Sequence, residues 1–294
     1  MLFLQTIVNG WVTGCVYALL ALGFGLIYNT TRVFHIAHGA VYAAAGYFIY
    51  TFLVVWKLPL SAASVLTVVA AGALGIGVEK AVHAPLHRRR ASPSIHLLSS
   101  VGVYIVVVNL IALVYGNQTR VLGAEAQETF RVGELILTEV QVVAVIVFLS
   151  VFAALVVALR CSSWGRMLRA MRDDPELVSA AGIDPAHIRA VVFGVGSGVA
   201  AIASILLSLD AGLGPHMGLS AVLNAAVAVI LGGLGVFESA VLGALALGTL
   251  QSLAVWQGGA RWQEAVTFVM LLVVLLLRPE GLLGRRRRIE EAAA

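Results

Sequence analysis

Residues 4–31 read LQTIVNGWVTGCVYALLALGFGLIYNTT, 28 residues without one Asp, Glu, Lys or Arg. A bilayer core about 30 Å thick takes roughly 20 apolar helical residues to cross, so this run alone is long enough. Eight more uncharged runs follow, at 33–56, 58–78, 91–119, 140–159, 190–209, 211–237, 239–260 and 265–277. Only helices and closed barrels satisfy their backbone groups in lipid, and none of these runs alternates as a barrel strand does. The chain reads as all-α, a polytopic membrane bundle.

Composition agrees. Hydrophobic residues make up 60% of the chain and charged ones 12%, against about 25% charged in soluble domains. The longest polar connections, 117–139 and 160–189, are too short for a soluble domain, so 1–294 reads as one transmembrane unit. The first run lacks the basic start of a signal peptide and exceeds its apolar core, so it is expected to stay as a span. Cys15 sits in a span and Cys161 at a basic helix end, which favours unpaired thiols. A pI near 9.3 needs no nucleic acid, because the basic clusters border apolar runs as cytoplasmic loops do.

Those clusters set a topology. Residues 88–90, 160–172 and 285–288 are placed inside. Three spans then precede Arg88, near 4–28, 35–56 and 60–82. Two more, near 95–115 and 140–159, enclose an outer loop holding Glu125, Glu128, Glu134 and Glu139. Four more lie near 190–209, 220–236, 238–255 and 263–278. The expectation is nine spans within a range of eight to ten, N-terminus outside and C-terminus inside. Of 19 Lys and Arg, only Lys57, Arg120, Arg131 and Arg261 fall outside, a strong bias. The two weakest spans are the last, only 13 uncharged residues long, and 220–236, where Gly232, Gly233 and Gly235 can break a helix that lines a cavity.

Little in the chain suggests catalysis. Neither Lys57 nor Lys80 sits in a phosphate-binding G-x-x-x-x-G-K-[ST] loop, so any ATP-driven motor is another polypeptide. Asp occurs only at 173, 174, 184 and 210, which leaves a serine–histidine hydrolase without partners. No enzyme activity, cofactor or metal is expected. His35 and His38 share a helical face, with no third ligand in sight, and read as hydrogen-bonded residues at the start of the second span. Glu79 and Glu238 are placed at the water-accessible boundary. Asn9, Asn109, Asn224 and Gln251 are read as helix–helix hydrogen bonders, with a solute path as the alternative. Glycines at 72, 75, 77, 194, 196, 198, 243 and 248 are read as sites of close helix approach.

The most structured polar segment is 161–184. Pro175 opens a short helix with Asp174 as its N-cap. Gly182 ends it, and Asp184-Pro185 leads into the next span. Such order exceeds a tether's needs and suits a docking element.

This segment and four others resemble the permease subunits of ABC importers for branched-chain amino acids, the LivH-type subunit in particular. Arg169-Ala170, Asp173 and Gly182-Ile183-Asp184 are similar to that family's coupling loop, with Leu177 where Ala is usual. Asn9-Gly10, Gly14, Tyr17-Ala18-Leu19 and Gly23 resemble its opening. His35-Ile36-Ala37-His38-Gly39 resembles its N-F-A-H-G motif, Ala228 to Gly235 its A-V-x-L-G-G-x-G block, and Arg278-Pro279-Glu280-Gly281-Leu282-Leu283-Gly284 its ending. His35 and Ile36 depart from the usual Asn and Phe. Ala40 stands where an acid is common, which leaves the solute open.

The resemblance implies a permease of the bacterial inner membrane that carries branched-chain or related small amino acids. Its implied partners are two cytoplasmic ATPases, a second homologous permease and an external solute-binding protein. Arg169, Arg172, Asp173, Asp174, Gly182, Ile183 and Asp184, within a coupling loop at about 160–189, would meet the ATPase. His35, His38, Gly39, Asn224, Gly232, Gly233 and Gly235 are the candidates for the path or its gate. The rival readings are a permease for another small solute (amide, urea, sugar or nucleoside) and an ion-coupled transporter, which would need more intramembrane ionisable residues.

Overall fold

The structure, a computed structural model, describes residues 2–122, 129–133, 135–233, 235, 237–278 and 281–283. Glu125, Glu128, Glu134, Pro279, Glu280, Gly284 and the arginines at 285–288 lie outside them. Among the described residues, eight helices are long and apolar enough to cross a bilayer, and a ninth apolar helix, Met217–Gly232, is shorter. In chain order the helices are α1 (Leu2–Thr31), α2 (Ala37–Tyr50), α3 (Leu60–Val78), α4 (Ala84–Arg88), α5 (Pro93–Tyr115) and α6 (Glu139–Cys161). Then come α7 (Ser163–Asp173), α8 (Pro175–Ala180), α9 (Pro185–Ala211), α10 (Met217–Gly232), α11 (Ser239–Gly258) and α12 (Gln263–Leu277). A π-helical turn at Thr51–Val55 extends α2, and another at Glu79–His83 joins α3 to α4.

Each expected span has a helix at its place, and α10 and α12 are the two that looked weak. Successive spans run antiparallel, so the bundle has two chemically distinct ends. The end where α1 begins, here the N face, holds the bridge between Arg120 and Leu213 and the contact of Gln5 with the Ile136 backbone. The opposite face holds the Arg160–Glu238 ion pair and the bond from the Arg172 guanidinium to the Gly235 carbonyl.

α1 is the hub, packed against α9, α10 and α11, and most of its second half is buried. Lipid offers no hydrophobic drive between helices, so close van der Waals approach must hold them. Glycine permits that approach. A Cβ on Gly248 of α11 would sit 2.5 Å from the Gly10 carbonyl oxygen and 2.6 Å from the Gly14 nitrogen of α1. A Cβ on Gly23 of α1 would sit 2.5 Å from the Gly196 oxygen of α9. Gly72 and Gly75 meet α9 at Gly194 and Ser197, but Gly77 faces open space and takes no part in packing. After α1 the chain folds back into the bundle, so that α2 starts with His38 against Gly23, about two turns short of the end of α1.

Two features escaped the sequence reading. The outer connection carries a hairpin, β1 (Thr129–Val132) paired antiparallel with β2 (Leu135–Thr138), turning at Gly133 with φ 64°. The basic run 163–173 is itself a helix, α7, with Ser162 accepting from the Gly165 amide as its cap. The expected break after α10 is present: Gly233 has φ 116° and Gly235 φ 99°. The carbonyls that a helix end leaves free are met there by the C-terminal segment, through Leu282 N–H to Leu231 O at 2.8 Å and Leu283 N–H to Gly232 O at 2.9 Å.

Gly248→Ala is expected to lower the thermal midpoint of the purified protein, at a cost of about 1–3 kcal/mol for overpacking. Gly77→Ala is expected to leave that midpoint unchanged or to raise it.

Candidate functional site

A cavity of about 410 Å³ lies between α1, α2, α6, α9, α10 and α12. Its lining comes from the halves of these helices nearest the N face: Asn9, Thr13 and Tyr17 of α1, Gln141 of α6, Asp210 of α9, Asn224 of α10 and Gln263 of α12. Val12, Val16, Leu206, Met217 and Ala221 add apolar wall, and Tyr42 of α2 also borders it. Among the described residues Asp210 is the only charged side chain in the lining, and it is exposed in the last turn of α9.

A buried amide network holds one wall. Asn224 Oδ1 accepts from Thr267 Oγ1 at 3.0 Å and from Gln251 Nε2 at 3.3 Å. Gln263 Nε2 donates to Gln251 Oε1 at 3.2 Å and to the Tyr17 hydroxyl at 3.1 Å. With its oxygen doubly engaged, Asn224 meets the Tyr17 hydroxyl through its amide nitrogen, and both residues line the cavity. Tyr17, accepting from Gln263, keeps its own proton to donate. The cavity thus offers donors on its inner wall and an exposed carboxylate. Asn224 and Gln251 do bond across helices as expected. Asn109 does not: it is exposed and donates to the Ile105 carbonyl of its own helix, one turn back.

The opposite face carries the capped segment. Leu168 and Met171 of α7 are buried with Leu26 and Ile27 of α1 and Ile188 and Val192 of α9. Arg169 donates to the Leu159 carbonyl at 2.6 Å, and Arg172 to the Gly235 carbonyl at 3.2 Å and to Asp173 Oδ1 at 3.0 Å. Asp174 caps α8 by accepting from the Glu176 and Leu177 amides, and Asp184 caps α9 by accepting from the Ala186 amide. Gly182 turns at φ 81°, and the Ile183 amide bonds back to Val178. Both arginines therefore tie the segment to the bundle. Leu177, 67% exposed, points outward with Asp173, Asp174 and Glu176. Gly165 was missed by the sequence reading, yet it lies directly against the Leu159 carbonyl, where no larger residue fits.

Of the sequence-proposed path residues, Asn224 alone lines the cavity. His35 and His38 are fully buried toward the opposite face. Gly39 packs on Gly218, Gly232 on Ser239 and Gly233 on Gly281, while the Gly235 amide donates to Asn29 Oδ1 at 3.1 Å. Glu79 corrects the expectation of a wetted boundary acid: it is 1% exposed and held by Arg189 of α9 at 3.1 Å. Buried ionisable residues are thus more numerous than expected, but they cluster away from the cavity. Among the described residues no group of three or more His, Cys, Asp and Glu is set to hold a metal ion.

Residues 6–275 match the family described as branched-chain amino acid transport system, permease component. The chain is 31% identical to the Pseudomonas aeruginosa high-affinity branched-chain amino acid transport system permease protein BraD, over 96% of each chain. It is also 31% identical to the Escherichia coli K12 permease LivH, again over 96% of each. A probable LivH of Methanocaldococcus jannaschii is 25% identical over 90% of this chain and 88% of its own. In fold, the chain is similar to PsaBC from Streptococcus pneumoniae solved with a Fab, with a TM-score of 0.53, 12% identity and coverage of 95% and 93%. A helical bundle matched to one family over nearly its whole length belongs to that family: the chain is a member of the branched-chain amino acid transport permeases.

Proposed function

We propose that this chain is the membrane-spanning subunit of an ATP-driven importer, carrying branched-chain amino acids inward across the inner membrane. The observation that carries the reading is the polarity of the bundle. A cavity with the exposed Asp210 carboxylate and an amide wall lies in the half of the bundle nearest the N face, and a capped helical segment covers the opposite face. On this reading the N face is external and receives solute from a binding protein. Asp210 meets the ammonium group, the Asn224 amide and Tyr17 hydroxyl meet the carboxylate, and the apolar wall meets the branched side chain.

The segment from α7 to α9 is the cytoplasmic contact. Partner ATPases cover α8 and its flanks, where Leu177 is exposed beside Asp173, Asp174 and Glu176. Because Arg169 and Arg172 tie this segment to α6 and to the turn after α10, a push on α8 passes into the spans. Transport then depends on a two-state element that both solute and ATPase bias. A second, homologous permease completes the pathway.

The test is labelled leucine uptake in cells expressing the chain with its neighbouring subunits. Asn224→Leu is expected to cut uptake about tenfold or more, from the loss of a charge-assisted hydrogen bond, with membrane yield unchanged. Asp210→Asn is expected to raise KM more than it lowers the maximal rate. Uptake that persists without the ATPases under an ion gradient would replace this reading with the ion-coupled one.

Gly182→Val places a β-branched side chain at φ 81°, a strained conformation. Inserted protein with at least a tenfold loss of uptake and continuing ATP hydrolysis is the expected result. Normal transport by that variant would count against the coupling role.

A further inference from the structure

Five of the chain's seven histidines converge near the face opposite the N face: His35, His38, His83, His87 and His96. They come from three stretches of chain, the entry to α2, the π-helical turn with α4, and the first turn of α5. His83 joins them. Its Nε2 lies 3.2 Å from His35 Nδ1, and its Nδ1 lies 3.2 Å from His96 Nδ1. The His87 ring lies on His96 with centroids 4.3 Å apart. Phe193 of α9 packs on His35 and His83 at 4.7 and 5.4 Å. His35, His38 and His83 have no exposed surface.

A neutral imidazole has one donor and one acceptor, and an imidazolium has two donors and no acceptor. His83 uses both nitrogens on other imidazoles, so the neutral array closes in only two ways. In one, His35 donates to His83 and His83 to His96, which leaves His35 Nε2 as a bare lone pair. In the other the direction reverses and His35 Nε2 carries a hydrogen. His35 Nε2 is buried and has no partner, and a buried donor left unpaired is costly, which favours the first direction. Now add one proton anywhere among the three rings while both contacts persist. On His35 it goes to Nε2 directly. On His83 or His96 it makes His83 donate to His35 Nδ1, and the His35 hydrogen must then sit on Nε2. Every singly protonated form places an unpartnered N–H at the same buried atom.

The surrounding charges act in the same sense. Arg189 of α9 faces His87 and His96 and repels added positive charge. Glu79, the acid on the adjoining turn, is already engaged by Arg189 through Oε1. α1 presents Phe24 to His38, and α2 continues with Tyr42 one turn beyond it. Beside the array, His38 lies against Gly23 where α1 meets α9 at Gly196, and Gly39 packs on Gly218 of α10, next to the cavity-lining Met217.

We propose that this histidine array is a proton-sensed clamp: neutral, it ties the starts of α2 and α5 to the end of α3, and protonated, it releases them and loosens the packing beside the cavity. The clamp contributes fully above the pH at which a free histidine titrates, about 6.5. Its contribution is lost as pH falls below that value, because the released state binds more protons.

The experiment is the thermal midpoint of the full-length protein in lipid nanodiscs, measured at pH 8 and pH 5.5. The wild type is expected to lose on the order of 5 °C over that interval. A His83→Gln/His96→Gln variant keeps donors and acceptors at both positions but cannot take up a proton at either, and it is expected to lose less than half as much. An equal loss in both overturns the proposal. Should the variant fail to fold, imidazole ¹⁵N spectra of histidine-labelled wild type decide. Protons taken up together, in step with faster proteolysis at the α2 and α5 starts, support the clamp, whereas independent titration near pH 6.5 with unchanged proteolysis overturns it.

Discussion

The close approach of α1 to α9 and α11 at glycines is the constraint on which the rest of this protein depends. In lipid an apolar side chain gains nothing by leaving a tail for a neighbouring helix, so the bundle is held where backbones can nearly touch. Gly10 and Gly14 against Gly248, and Gly23 against Gly196, are such places. They leave α1 so enclosed that most residues of its central apolar window are buried. The outer spans are different: Thr267 is the buried residue of α12, and half of that helix is exposed to lipid or to a partner. A rigid axis with looser spans around it is an arrangement in which the outer helices can move.

The two faces of the bundle are built from different chemistry, and this division organises the functional reading. Toward the N face a network of neutral amides and hydroxyls, from Asn224, Gln251, Gln263, Thr267 and Tyr17, stands beside open space. Such groups can exchange partners with a small zwitterion without creating a buried charge. Toward the opposite face buried ionisable groups gather, with Glu79 held by Arg189 and His83 by two other histidines. Breaking those contacts is expensive, so that face is suited to holding a state and releasing it as a unit.

Much of this was legible in the chain because lipid punishes charge severely. Runs without Asp, Glu, Lys or Arg located every span, including the short α10, whose end was readable in Gly232 and Gly233. Local backbone chemistry was legible too: Asp174-Pro175 and Gly182 bound α8 in the structure as their residue types require. What escaped the reading depends on contacts between distant residues. Glu79 and Arg189 are 110 positions apart, and His83 lies 48 positions from His35, so no spacing announces either meeting. α7 was hidden by its own arginines, because a helix lying along the bundle end shows the charge of its wet face before its apolar one. Within the site, Asn224 was readable as a polar residue in a span, but the cavity it borders is assembled from six helices.

Sidedness is the central claim, since import and ATPase docking both require the α7–α8 face to be cytosolic. Cys161, exposed at the end of α6, reports on it directly, because the other cysteine, Cys15, is buried. A membrane-impermeant maleimide added to intact cells should leave the protein unlabelled, and the same reagent should modify Cys161 in inverted membrane vesicles. Labelling of Cys161 from outside intact cells would contradict the account.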